Sequence, residues 1–150
     1  MRLLNSNALH IAAMAALALV VTMAAAEGAE VKISDAWVRA LPSGLPAAGY
    51  FTLHNDANRP LTLTSAQSSA CGMLMLHKSD NMGGMMHMED VTKVEVPAGG
   101  TISFAPGGYH LMCMQPSTDI KPGAKVKIAL GFSDGSSIAA PFEVRSASGR

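Results

Sequence analysis

The chain carries little charge: Asp, Glu, Lys and Arg make up 15% of its 150 residues, and acidic and basic side chains balance at 11 each. Without a basic surplus it has no means of gripping a phosphate backbone, so nucleic-acid binding is not expected. Cysteine is scarce as well. There are two, Cys71 and Cys113, and no C-x-x-C pair, which removes support for a thioredoxin-like redox role. No G-x-S-x-G, H-E-x-x-H or other paired catalytic constellation occurs, so an enzyme is not expected. The apolar run Ile11 to Val21 falls short of the roughly 20 residues that a membrane-spanning helix needs. Beyond that run no segment sustains a helical period with caps, and no internal repeat is visible.

The first residues have the order of a secretory leader. Arg2 is the only charge before Glu27, a polar stretch Asn5 to Asn7 follows, and the apolar run ends in Thr22-Met23-Ala24-Ala25-Ala26. A positive start, a short apolar middle and small residues at a cleavage site predict a signal peptide over residues 1–26, with Ala29 as the alternative cleavage point. No cysteine lies near this junction, so lipid attachment at a new N-terminal Cys is not expected. The mature domain is then 27–150, exported to the periplasm and without a stable membrane span. Export to an oxidising compartment leaves three readings of Cys71 and Cys113 open: small buried apolar residues, one intramolecular bridge, or copper ligands.

The mature chain divides into short runs rich in β-branched and aromatic residues. They are Val31 to Val38, Gly49 to Asn55, Leu61 to Ser65, Met73 to Lys78, Met86 to Val91, Thr101 to Ala105, Tyr109 to Met114, Lys125 to Phe132 and Ser137 to Val144. Turn residues separate them, as in Asn55-Asp56-Ala57-Asn58, Pro97-Ala98-Gly99-Gly100 and Pro106-Gly107-Gly108. The pattern predicts a single all-β domain, a mostly antiparallel Greek-key sandwich over about residues 31–144. Alternation then groups side chains by face. His110, Met112 and Met114 share one side of their strand, with Leu111 and Cys113 on the core side; Met73, Met75 and His77 likewise oppose Leu74 and Leu76. Trp37, Tyr50, Phe51, Phe104 and Phe132 are expected in the core. Tyr109 is expected to support its neighbours, and His54 to be structural or at the surface.

Methionine is the compositional signal. Of 11 in the chain, all eight outside the leader lie between Met73 and Met114. Thioether and neutral imidazole are soft or borderline donors that together suit Cu(I), whereas calcium and magnesium want oxygen and zinc rarely takes a thioether. Four residues stand out by spacing: His77, Met88, His110 and Met112, written H-x10-M-x21-H-x-M. For the His and Met content of this chain, chance produces such a set about once in a thousand sequences.

That spacing resembles the motif of the periplasmic copper chaperone family PCu(A)C. Asp35-Ala36-Trp37-Val38-Arg39-Ala40, Ala47 through Asn55, Val96-Pro97-Ala98-Gly99-Gly100, Pro106 through Met112 and Lys121-Pro122-Gly123 are also similar to family phrases, so that the resemblance spans Val31 to Val144. It implies a cupredoxin-like β-sandwich that holds one Cu(I) through His77, Met88, His110 and Met112. It also implies transfer of the ion to a copper-accepting protein, in the family typically the binuclear copper centre of cytochrome oxidase. Many members carry a Met one or two residues after the first His; Lys78 and Ser79 stand there. The His- and Met-rich C-terminal tail that takes Cu(II) in some members has no counterpart before Arg150.

The donor chemistry fits a carrier independently. Thioethers bring neither charge nor proton, so they bind by soft donation and exchange readily, and imidazoles must be neutral to bind. The segment Asp80 to His87, with Met82, Met85, Met86 and His87 around Gly83-Gly84, is expected to be a flexible loop offering further donors at a handover surface. Three rival readings are copper sequestration, an electron-transfer cupredoxin and a metal-free secreted interaction protein with a Met-rich surface. A blue copper site needs two His, one Cys thiolate and a weak axial Met, and no His follows Cys113 to complete such a loop.

Overall fold

The computed structural model describes residues 30–150. The expected signal peptide, 1–26, lies outside the described residues. Ten strands follow in order: β1 Val31–Arg39, β2 Ala47–Asn55, β3 Leu61–Gln67, β4 Cys71–Met82, β5 Met85–Asp90, β6 Val94–Val96, β7 Thr101–Phe104, β8 Tyr109–Pro116, β9 Lys125–Phe132 and β10 Ser137–Arg145. All nine expected strands are present, and β6 is an addition. Pro42–Gly44 forms one short 3-10 turn. No helix among the described residues is long and apolar enough to cross a membrane.

The strands join in the order β5-β4-β8-β2-β1-β10-β9-β3-β6, with β7 also on β2. Only the β1–β10 pairing is parallel among these ladders. Such a sheet has one apolar face to bury, and it does so by folding over itself, so that β3 comes alongside β4 without pairing. Phe51, Leu53, Leu63, Leu76, Val96, Leu111, Ile128, Leu130, Phe142 and Val144 meet in one core. Gly49 permits a close approach: a Cβ there would lie 3.2 Å from that of Leu111, its partner on β8.

Two features tie the layers at their ends. Asn55 is fully buried, and its amide nitrogen donates to the carbonyls of Arg59, Val96 and Pro97 while its oxygen accepts from the Ala57 N–H. It thereby locks the β2–β3 turn onto the β6–β7 turn. Cys71 and Cys113 form a disulfide, with Cα atoms 5.4 Å apart and 42 positions apart in sequence. Of the three readings of the cysteines, the intramolecular bridge is the one realised.

Asn55→Ala is expected to lower the unfolding free energy by about 2–3 kcal/mol, because it strands a buried N–H and several carbonyls at once. Replacing both cysteines with alanine should lower it by about 2–4 kcal/mol, through release of the unfolded chain. Urea titration checks both; an unmoved midpoint in either variant contradicts the assigned role.

Candidate metal centre

The β4–β8 ladder decides which side chains meet. Leu74 faces Cys113 and Leu76 faces Leu111 on the core side. On the outer side the opposed pairs are Met73 with Met114, Met75 with Met112, and His77 with His110. The two imidazoles lie with centroids 5.6 Å apart and planes at 73°. On the other flank of β4, Met88 of β5 stands opposite Ser79, one diagonal step from His77 on the same face. Met88, His110 and Met112 line an open depression of about 280 Å³, together with Arg39, Tyr50 and Met86. The four residues singled out by spacing therefore occupy one patch.

His110 is pre-set as a donor. Its Nδ1 lies 3.1 Å from the Gly108 carbonyl, which can only accept, so Nδ1 carries the proton and Nε2 keeps its lone pair. Burial pushes its pKa below the ordinary value; the Gly108 bond opposes this, while charges at His77 and Arg39 add to the fall. The ring therefore stays neutral at pH 7.

His77 is 9% exposed, and neither ring nitrogen has a hydrogen-bond partner. Asp90 Oδ1 comes within 2.7 Å of Nε2, but out of line for a hydrogen bond, and the rest of Asp90 is in solvent. A buried imidazole nitrogen left without a hydrogen bond is costly, and a metal ion taking its lone pair would offset that cost. No three His, Cys, Asp or Glu side chains converge among the described residues. The donors that do converge are two imidazoles and thioethers, a set that fits a soft monovalent ion and not a hard one.

Two expectations require correction. Trp37 does not join the core; it faces outward and is half-buried, whereas Tyr50 is buried as expected, at 3% exposure, but on this outer face beside the depression and apart from the main cluster. A bulge between Ser34 and Trp37, with Asp35 at φ 51°, shifts the alternation of β1 so that Val38 points inward instead of Trp37. On β2, Phe51 takes the inward position, and its neighbour Tyr50 must then point out, where Trp37 and Arg39 cover it. The segment Asp80 to His87 is not a loop. Gly83 and Gly84, at φ 62° and 84°, make a two-residue turn that lets β4 and β5 pair up to Met82 and Met85. Met86 faces the depression, while Met82 and Met85 lie at the tip and on the reverse side.

Phe51, Phe104 and Phe132 are in the core as expected. Tyr109 stacks on Phe104, and His54 bridges Thr101 and Asp56 at the surface. Arg39 is the wall residue that spacing alone did not single out. Its signal was the phrase around Trp37 together with the β1–β2 register, which sets Arg39 opposite Ala48 next to Met112.

Residues 31–144 match the family described as Putative lipoprotein LpqE-like. The chain belongs to this family. The LpqE-like chain is 35% identical over 120 residues to Putative lipoprotein Lxx21020 of Leifsonia xyli subsp. xyli, covering 79% of this chain and 72% of that protein. It is 30% identical over 89 residues to Uncharacterized protein RP573 of Rickettsia prowazekii, covering 59% of this chain and about half, 49%, of that protein. Its fold is similar to that of the copper-bound PCuAC domain from PmoF2, at a TM-score of 0.63 and 23% identity over 78% of this chain and 93% of that one. It is also similar to the solution structure of CuI-DR1885 from Deinococcus radiodurans, at a TM-score of 0.62 and 30% identity over 79% of this chain and 83% of that one. The LpqE-like chain thus has the cupredoxin-like β-sandwich of the PCuAC domains, and the resemblance to PCu(A)C chaperones extends from sequence to fold.

The hydrogen-bond pattern predicts one tautomer for His110 in the metal-free protein. Long-range 15N–1H NMR should show the proton on Nδ1; a proton on Nε2 would remove both the Gly108 bond and the free donor.

Proposed function

We propose that this protein is an exported carrier that binds one Cu(I) through His77, Met88, His110 and Met112 and passes it to an acceptor protein. The observation that carries the reading is the cross-strand pair His77–His110, buried, neutral at His110, without a hydrogen bond at His77, and flanked on one face by Met88 and Met112. The Cu(I) form of the similar Deinococcus protein supports the choice of ion. Gly108 holds the His110 ring by its Nδ1, so that Nε2 keeps a lone pair for a metal ion. The thioethers keep the bound charge at +1 and leave by simple exchange, which suits an ion that must be given up.

The open depression gives an incoming ligand access beside Met88 and Met112, and Met86 at its rim supplies a thioether next to the bound ion. The acceptor implied by the resemblance is the binuclear copper centre of cytochrome oxidase. The leader-like first residues and the lipoprotein names of the family and one relative support export to the periplasm. An electron-transfer cupredoxin is disfavoured by the disulfide. A blue site needs a thiolate, and Cys113 is bonded to Cys71.

In His110→Ala/Met112→Leu, Cu(I) affinity is expected to fall by more than the ~10–100-fold that loss of an outer partner of a metal ligand costs. The fold should persist in the same variant. Competition against a chromogenic Cu(I) chelator measures the affinity, and X-ray absorption at the copper edge counts sulfur against nitrogen in the loaded protein. Unchanged affinity in the double variant refutes the ligand assignment.

A further inference from the structure

The outer face of the β4–β8 ladder does not stop at the histidine pair. Beyond Met75 and Met112 lies one more directly opposed pair, Met73 with Met114. Opposed Cβ atoms in an antiparallel ladder are about 4.5–5.5 Å apart, and successive pairs on one face are about 7 Å apart along the strand. Met73, Met75 and Met114 therefore sit at three corners of a small rectangle whose fourth corner is Met112. No core explains them. Their strand neighbours Leu74 and Cys113 already fill the inner face, and Met73 is 57% exposed.

On β3 and β9 outward positions include polar side chains, as with Thr64, Lys125 and Lys127. A soluble β-sheet ordinarily turns polar side chains outward. Here the outward positions of two adjacent strands carry unbranched thioethers, which hydrate poorly but donate well to soft ions.

From this placement we propose a second soft-metal site, in which Met73, Met75 and Met114 hold a monovalent d10 ion, Cu(I) or Ag(I), next to the first. The proposal rests on the copper reading above only for the identity of the physiological ion. The second station has no imidazole, so it binds more weakly and independently of histidine. Met112, at the shared corner, links the two stations, and an ion held by Met73, Met75 and Met114 lies one ladder step from the His77–His110 pair. The arrangement gives the carrier a weaker landing position from which the ion moves to the tighter site by exchange of one thioether at a time. No bond other than metal–ligand bonds is made or broken, and the metal keeps its charge.

The test is titration of the oxidised, disulfide-bonded protein with Cu(I) held reduced by ascorbate, against a chromogenic Cu(I) chelator. It is repeated with Ag(I) followed by the methionine methyl shifts in NMR. The wild type is expected to take a tight and a weaker equivalent. Met73→Leu/Met75→Leu/Met114→Leu keeps the apolar volume and should lose the weaker equivalent alone, whereas His77→Ala/His110→Ala should lose the tight one and keep the weaker. Thermal melts establish that each variant is folded, and single Met→Leu variants replace the triple one if it is not.

A wild type that takes one equivalent, lost in the histidine variant, overturns the second site and leaves the first standing. A wild type that takes none overturns both. Loss of the tight equivalent in the methionine variant also overturns the second site, since it places these residues in the first.

Discussion

The register of one antiparallel ladder, β4 on β8, is the constraint on which everything else in this molecule depends. With side chains alternating at every residue, a slip of one position would turn His77 toward the core and Leu76 toward the depression. It would also separate His77 from His110. Several features hold the register against that slip. Leu74, Leu76 and Leu111 are drawn inward by the core, and Gly49 lets β2 press against Leu111 from the next strand. The Cys71–Cys113 bridge covalently fixes the two strands near the end of the ladder away from the histidines. The apolar face thus positions the polar one, and the geometry of the candidate metal site is set by the packing on its reverse side.

The outer face is unusual because its donors are mostly uncharged. A site of carboxylates or thiolates would hold its ion by Coulomb attraction and would be slow to give it up. Imidazole and thioether hold Cu(I) by polarisability, and they can be set in a partly buried strand face without the desolvation penalty of ionised groups. The remaining cost falls on His77, whose ring nitrogens have no protein hydrogen-bond partner. His110, one ladder rung across, spends Nδ1 on Gly108 and so keeps Nε2 free. The pair is asymmetric: one ring is oriented by the backbone, and the other is held by its surroundings.

Much of this was legible in the sequence, because a period of two survives any detail of the sheet. The nine strand segments, the faces of Met73 to His77 and of His110 to Met114, and the clustering of soft donors all follow from alternation and spacing. What was not legible depended on events between strands. The bulge at Asp35 inserts a residue and reverses the phase of β1, which carried Trp37 out of the expected core and placed Val38 in it. Val94–Val96 is too short to show a period and becomes a strand only because β3 offers it an edge. Gly83-Gly84 reads equally as a flexible link or as a tight turn. Its conformation follows from the strands on either side, since pairing from His77–Asp90 outward leaves two residues to close the hairpin. The cysteine pairing required a Cα distance, which no count of residues supplies.

On the proposed carrier reading, the exposed apolar side chains mark where an acceptor would approach. The exposed large hydrophobic side chains among the described residues are Leu41, Leu45, Met73, Met82, Met85, Met86 and Met88. Leu41, Met86 and Met88 line the depression, and Met73 stands at the far end of the methionine face. Apolar side chains ringing an ion site lower the cost of excluding water when two proteins meet, and ligand exchange between two soft sites requires that exclusion, because a water molecule is a poor ligand for Cu(I). The β4–β5 hairpin lies at the edge of the sheet, with β5 exposed along its whole length. On the proposed reading this exposed strand carries one of the four ligands, Met88, while His77, His110 and Met112 sit on the β4–β8 ladder, so an approaching partner would reach the site through Met88.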